Sequence, residues 1–153
     1  MRQGREVLLV RARYADEPQA LWTLPGGRQE PGESIIDALV REFREETSLA
    51  VQAMDLQYLS ESVDEARAVH VVNCTFAVEQ IPPLRKPEPA DPNISEVRFV
   101  DIGAAPELLR ADVLRIPVAA VLSGNTHARY FFFHSKDIAV PFFTSPPSAR
   151  RQT

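Results

Sequence analysis

Residues 24–49 read LPGGRQEPGESIIDALVREFREETSL: a proline–glycine turn, a polar loop broken again by Pro31 and Gly32, then a run with helical periodicity. The pattern predicts a helix over 34–47. Ser34 is the N-cap candidate, with Asp37 three residues on in a capping-box-like position. At about 100° per residue, Ile36, Leu39, Val40, Phe43 and Thr47 fall on one stripe that must be buried. Glu42, Glu45 and Glu46 stand at i, i+3 and i+4, so their side chains converge on a neighbouring face. Three converging carboxylates repel and destabilise a bare helix. On the same wheel Arg41 and Arg44 point away from the centre of that cluster. Either the face is simply solvated, or a divalent cation compensates it, and hard oxygen ligands suit Mg²⁺. Gly26 and Gly27, just upstream, permit backbone conformations that bring the chain close to a ligand or metal.

Outward from this stretch, the pattern predicts strands at 7–13, 56–62, 69–78 and 97–101, and a short extended piece at 21–24. Pro106 fits the first position of a short helix through Leu109, and Pro117 reads as opening another that ends near Gly124. The apolar run 130–133 fits a strand or a helix equally well. Residues 82–92 (PPLRKPEPADP) hold five of the 13 prolines and read as a long loop inside one domain. Mixed strands with few helices imply an α/β (α+β) layered domain over 1–145, followed by a loose tail at 146–153.

The whole chain, 153 residues with 44% hydrophobic and 25% charged residues, matches an ordinary globular composition, which excludes wholesale disorder or a collagen-like repeat. One cysteine, Cys74, cannot form an internal disulfide and reads as a small buried hydrophobe. No apolar run reaches the roughly 18 residues of a membrane span. The four consecutive apolar residues Val7 to Val10 are too few for a signal-peptide core, so a cytoplasmic protein with no membrane partner is expected. A net charge of −4 gives no basic patch for nucleic acid. Residues 28–46 contribute −3 of it, from six acids against three arginines, so the acidity is one local site.

Taken together, Gly27, Glu33, Arg41, Glu42, Phe43, Glu45, Glu46 and Leu49 reproduce the spacing of the Nudix box, with Ser48 in place of its glycine. By average residue usage such a match arises by chance on the order of once in a million chains this short. The chain therefore resembles Nudix hydrolases over 27–49, and more loosely to about residue 101. The resemblance implies an α/β/α sandwich with a mixed central sheet. It also implies a loop–helix–loop that binds Mg²⁺ or Mn²⁺ and cleaves a diphosphate linkage in a nucleoside diphosphate derivative or a nucleoside triphosphate. By that similarity Glu42, Glu45 and Glu46 hold the metal, a backbone carbonyl of Gly26 or Gly27 adds a ligand, and Glu33 pairs with Arg41. Clustered phosphates repel an attacking hydroxide, and metal ions relieve this while acidifying bound water. Glu42 or a carboxylate outside the box accepts the water's proton, with Glu96 as the outside candidate and a plain surface glutamate as its other reading.

Ser48 takes the place of a glycine after the helix, where left-handed geometry is usual, at a cost of roughly 1 kcal/mol and no lost ligand. Only six residues precede Val7, so the strand that family members place before it is either missing or lies upstream of the given start. The sheet edge left uncovered would invite a homodimer. Arg11, Arg13 and Arg28 are either substrate-contact candidates for phosphates or plain surface arginines, and Trp22 is either a base-stacking platform or core. His70, His127 and His134 form no metal-spaced set. The function expected is hydrolysis of a small-molecule nucleotide. The alternatives are a non-catalytic nucleotide-binding module, disfavoured by the intact glutamates, and an isomerase or RNA-end hydrolase, the RNA reading lacking a basic groove.

Overall fold

The computed structural model describes residues 1–14, 17–125, 127 and 129–134. The chain runs β1 (Arg2–Gln3), β2 (Glu6–Ala12), β3 (Leu21–Thr23), α1 (Ile35–Thr47), β4 (Val51–Asp64), β5 (Val69–Gln80), β6 (Ile94–Asp101), α2 (Ala105–Leu108), α3 (Asp112–Leu122) and β7 (Tyr130–His134). The expected tail at 146–153 lies outside the described residues.

Strand β2 is the centre of the fold because its run Val7–Val10 is apolar on both faces. Strand β6 pairs antiparallel along its whole length, from Glu6↔Asp101 to Ala12↔Ile94. With that edge filled, β1 (Arg2↔Val7) and β3 (Arg11↔Trp22) lie end to end along the other. Leu8 packs with Phe43, Leu49, Val51 and Val78 beneath α1. Val7 and Leu9 pack on the opposite face with Tyr58, Val100, Ala105, Leu109 and Val118. The result is an α/β/α sandwich with α1 on one side and α2 and α3 on the other. Before Val7, where the strand was expected either to be missing or to lie upstream of the given start, the described residues form the two-residue β1. That β2 edge is thus paired at Glu6 and Val7 by β1 and from Val10 to Ala12 by β3.

A second sheet, in the order β5-β4-β7, supplies the mixed character: β4 and β5 are antiparallel, β4 and β7 parallel. The apolar run at 130–133 is thus a strand, since parallel pairing to β4 lets Phe131 and Phe133 enter the core while Tyr130 and Phe132 face out. Strand β4 starts five residues before the predicted Leu56, with register shifts between Ala53 and Tyr58 that interrupt the alternation a sequence pattern relies on.

Helix α1 is capped as predicted, with the Asp37 N–H donating to Ser34 Oγ at 3.1 Å and the Asp37 carboxylate accepting from the Ser34 N–H. The buried stripe needs a correction: Ala38, Phe43 and Thr47 are inside, whereas Ile36 is 40% exposed. Leu39 and Phe43 are the α1 residues that reach the cluster around Leu8, so the first turn carries no core contact through Ile36. Ser48 adopts φ 60°, the left-handed geometry expected of it, and its N–H caps Arg44 O. Pro117 does not open a helix but sits buried inside α3, where it cannot donate to the Val113 carbonyl. The proline-rich loop contains no helix or strand and is tied along the end of α1: the Glu88 N–H donates to Thr47 O at 3.0 Å and Ser48 Oγ to Glu88 O at 3.2 Å. Among the described residues no helix is long and apolar enough to cross a membrane.

Candidate active site

The loop between β3 and α1 folds back on the helix because Arg41 collects its partners. Its Nε and one terminal nitrogen donate to the two Glu33 oxygens at 2.9 and 3.0 Å, a bidentate pair. The same terminal nitrogen donates to Arg28 O at 3.0 Å. The other terminal nitrogen reaches Glu42 at 2.9 Å and Glu45 at 3.2 Å. Glu33 in turn accepts the Glu30 N–H at 2.9 Å, and its carbonyl accepts from the Gln29 amide. These bonds, that to Arg41 foremost, hold the Glu33 carboxyl below its ordinary range and push the Arg41 guanidinium above its own.

The Glu33–Arg41 pair implied by the resemblance is therefore present. The wheel argument about Arg41 is not upheld: its backbone direction points off the acidic centre, but its long side chain curls back into it. An open cleft beside this network is lined by Glu33, Asp37, Val40, Arg41, Arg44 and Glu45.

Glu46 sits apart from the arginine. Its Oε2 accepts the Gly26 N–H at 2.9 Å, so the contact formed there is through the amide of the turn. Burial pushes the Glu46 carboxyl up to about 7, and the neighbouring carboxylates Glu42, Asp91 and Glu45 push the same way against the Gly26 bond. Gly27 packs so tightly on Glu42 that a Cβ there would fall on the carboxylate itself, which explains the glycine without invoking backbone strain.

This donor set fits a hard divalent cation. It is made of carboxylate oxygens, and the poorly compensated one, Glu46, lies where positive charge is lacking. Among the described residues no three acid, histidine or cysteine side chains converge as a formed cage, since Glu42 and Glu45 are turned to Arg41.

Asp91 was missed by sequence reasoning. It stands in the proline-rich loop, where no periodicity marks it, and reaches Glu46 only because that loop is tied along α1. Glu96, the acid proposed instead, stands opposite Arg11 on β2 and pairs with Arg98 at 3.5 Å. It is not among the groups that shift Glu46.

Trp22 packs against the core, and Arg98 covers its ring at 4.6 Å, so the stacking position proposed for a base is taken by a guanidinium. Arg98 carried no sequence signal, because its neighbour is set by strand pairing. Arg11 lies exposed in the same cross-strand row as Trp22. Arg13 is anchored by its N–H to Asn93 O at 2.8 Å, and the Arg28 carbonyl is the part of that residue bound into the Arg41 network. Cys74 is half-buried on β5.

Comparison with known proteins bears on this geometry. A family model described as NUDIX domain matches residues 1–120. An ADP-ribose pyrophosphatase of Methanocaldococcus jannaschii is 30% identical over 106 residues, covering 69% of this chain and 60% of that protein. Phosphatase NudJ of Shigella boydii is 32% identical over 104 residues, covering 67% of this chain and 63% of that protein. The chain thus spans about three fifths of the length of these relatives. Among solved structures, a NUDIX hydrolase from Nitrosomonas europaea superposes with a TM-score of 0.65 at 25% identity, covering 84% of this chain and 85% of that one. A MutT protein from Methanosarcina mazei gives a TM-score of 0.64 at 21% identity, covering 80% and 86%, and speaks for the fold alone.

Proposed function

The chain belongs to the NUDIX domain family, and from that premise we propose that it is a metal-dependent pyrophosphohydrolase that cleaves a diphosphate linkage in a small nucleotide. The observation that carries the reading is the half-buried Glu46 carboxylate, bonded to the Gly26 amide and crowded by Glu42, Glu45 and Asp91. It is an acidic site that needs a cation before a phosphate can approach. Glu42, Glu45 and Glu46 would hold Mg²⁺ or Mn²⁺. The ion would supply charge neutralisation at the diphosphate and acidify a bound water.

The chain's own residues do the rest. Arg41 and Glu33 lock the loop to the helix, so that Gly26, Gly27 and the glutamates keep one geometry. Gly27 sets the depth at which Glu42 lies under the loop. Glu42 or a carboxylate outside the helix would serve as the proton acceptor, and Asp91 is a candidate because its charge acts on Glu46. The relatives named as an ADP-ribose pyrophosphatase and as a phosphatase support a nucleoside diphosphate derivative or a nucleoside triphosphate as substrate.

The test is a Mg²⁺-dependent hydrolysis screen over nucleoside triphosphates, nucleotide sugars, ADP-ribose and dinucleoside polyphosphates, with products identified by mass. Glu45→Gln and Glu46→Gln should abolish turnover in folded protein. Full activity in both variants sinks the metal-site assignment. Nucleotide binding without hydrolysis anywhere in the panel would instead establish a non-catalytic binding module.

A further inference from the structure

We propose that Ser48 is a positioning residue: from the place where the Nudix box has glycine, its hydroxyl staples the proline-rich loop to the end of α1 and so sets the carboxylate of Asp91 beside Glu46. The proposal rests on the hydrolase reading, since it concerns how that site is assembled. It starts from a backbone outlier. Ser48 lies at φ 60°, a conformation that a residue other than glycine holds under strain. Strain kept at one position points to a task for the side chain found there. Here that side chain is a hydroxyl, and it donates to Glu88 O at 3.2 Å. Glycine would supply the geometry without the donor.

Glu88 is where the loop meets the helix. Its N–H donates to Thr47 O at 3.0 Å while its carbonyl accepts from Ser48. One loop residue is thus gripped at both backbone groups by consecutive residues of the α1 terminus. Among the described residues these two are the hydrogen bonds that join residues 81–93 to the helix and its cap. Apolar packing adds little, since Leu84 is 74% exposed and Ile81 36%.

The tether reaches Asp91 through a stiff segment. Pro89 follows Glu88 and Pro92 follows Asp91, so φ is fixed at each proline and the residue before it is held to extended backbone. Downstream the segment is pinned again. Asp91 Oδ1 accepts the Asn93 N–H at 2.6 Å, Asp91 O accepts the Ile94 N–H at 2.9 Å, and Asn93 O accepts the Arg13 N–H at 2.8 Å. Asp91 therefore lies between two anchors, the helix end through Glu88 and the end of β2 through Asn93. One of its oxygens is spent on Asn93, and among the described residues the other carries no hydrogen bond. This half-buried carboxylate is the loop's charge that acts on Glu46. Releasing the Glu88 carbonyl leaves a single bond on the upstream side, and Asp91 is then set less closely against the carboxylates that would hold the cation.

Direct Mn²⁺ titration of the full chain without nucleotide, followed by the electron paramagnetic resonance of the free ion, reads the effect apart from turnover. Ser48→Gly keeps the left-handed backbone and should weaken Mn²⁺ binding about fivefold, the worth of one hydrogen bond, while its thermal midpoint stays near wild type. Asp91→Asn should weaken binding at least as much. Because Ser48 acts through Asp91, the double variant should bind no more weakly than Asp91→Asn alone. Wild-type affinity in Ser48→Gly, or losses that add in the double variant, overturns the proposal and leaves the hydrolase reading standing. A wild-type chain that binds no Mn²⁺ removes both, so the two failures are told apart.

Discussion

Replacing Glu46 by Gln should make the metal-free protein more stable while destroying its activity. The Glu46 carboxyl is raised from 4.5 to about 7 in the folded chain, chiefly by burial and then by its acidic neighbours. A raised carboxyl means that the folded state binds the proton more tightly than the unfolded chain. Below pH 4.5 both states are protonated and the group costs nothing. Between there and about pH 7 the unfolded state releases its proton first, so stability falls as pH rises. Above that window the full cost is present and flat. A shift of this size corresponds to about 3 kcal/mol at pH 8.

Part of the carboxyl is solvated, so about 2 kcal/mol is a fairer expectation, or roughly 6 °C in Tm for a domain of this length. A glutamine keeps an acceptor for the Gly26 N–H while removing the charge. Calorimetry of both proteins in chelator at pH 4 and pH 8 isolates the group, because other titrating residues cancel in the difference. The variant should match wild type at pH 4 and exceed it at pH 8. Added Mg²⁺ should raise the wild-type midpoint at pH 8 more than the variant's. A variant equal to or less stable than wild type at pH 8 would refute the claim that Glu46 is an uncompensated charge awaiting a cation.

Gly27→Ala should cost about a hundredfold in turnover with the fold intact, because the new methyl displaces the Glu42 carboxylate by roughly an ångström; steady-state kinetics with circular dichroism checks it. Arg41→Lys cannot reproduce the fork to Glu33 and the reach to Glu42 together, and should weaken Mg²⁺ activation roughly 10- to 100-fold, read from metal titrations of activity. Ser48→Gly relieves the left-handed strain, worth about 1 kcal/mol, but gives up the bond to Glu88 O, so its midpoint should stay within a few degrees of wild type. Ser48→Ala keeps the strain, loses the bond, and should fall below both. Equal midpoints for the two Ser48 variants would show that the left-handed strain does not operate, since both have lost the bond to Glu88 O.

The contrast between Glu46 and Arg41 shows what a helical wheel can and cannot deliver. A wheel gives the direction of each Cα–Cβ bond, and where the core reaches that turn of the helix, as it does not at Ile36, that direction is most of the answer. Ser34, Asp37, Phe43 and Thr47 accordingly sit where the pattern places them. Arginine has four rotatable bonds, and its charge travels far from its Cβ. Arg41 therefore leaves the angle of its backbone and bridges Glu33, Glu42 and Glu45, a result the wheel argument excluded and only the spacing of the whole box implied.

Asp91 and Arg98 were beyond reach for a different reason. Each acquires its neighbour through pairings more than forty residues distant in sequence: the proline-rich loop along α1 in one case, β6 on β2 beside β3 in the other. Local pattern carries no record of such pairings. The net charge of −4 divides along the same line. Its concentration in residues 28–46 was legible, but which carboxylate stays uncompensated depends on where one guanidinium goes. Arg41 takes Glu33, Glu42 and Glu45 and leaves Glu46 to burial and the Gly26 amide. The charge left uncompensated is thus focused on a single carboxylate, and under the proposed function Glu46 is where an added divalent cation should have its largest effect.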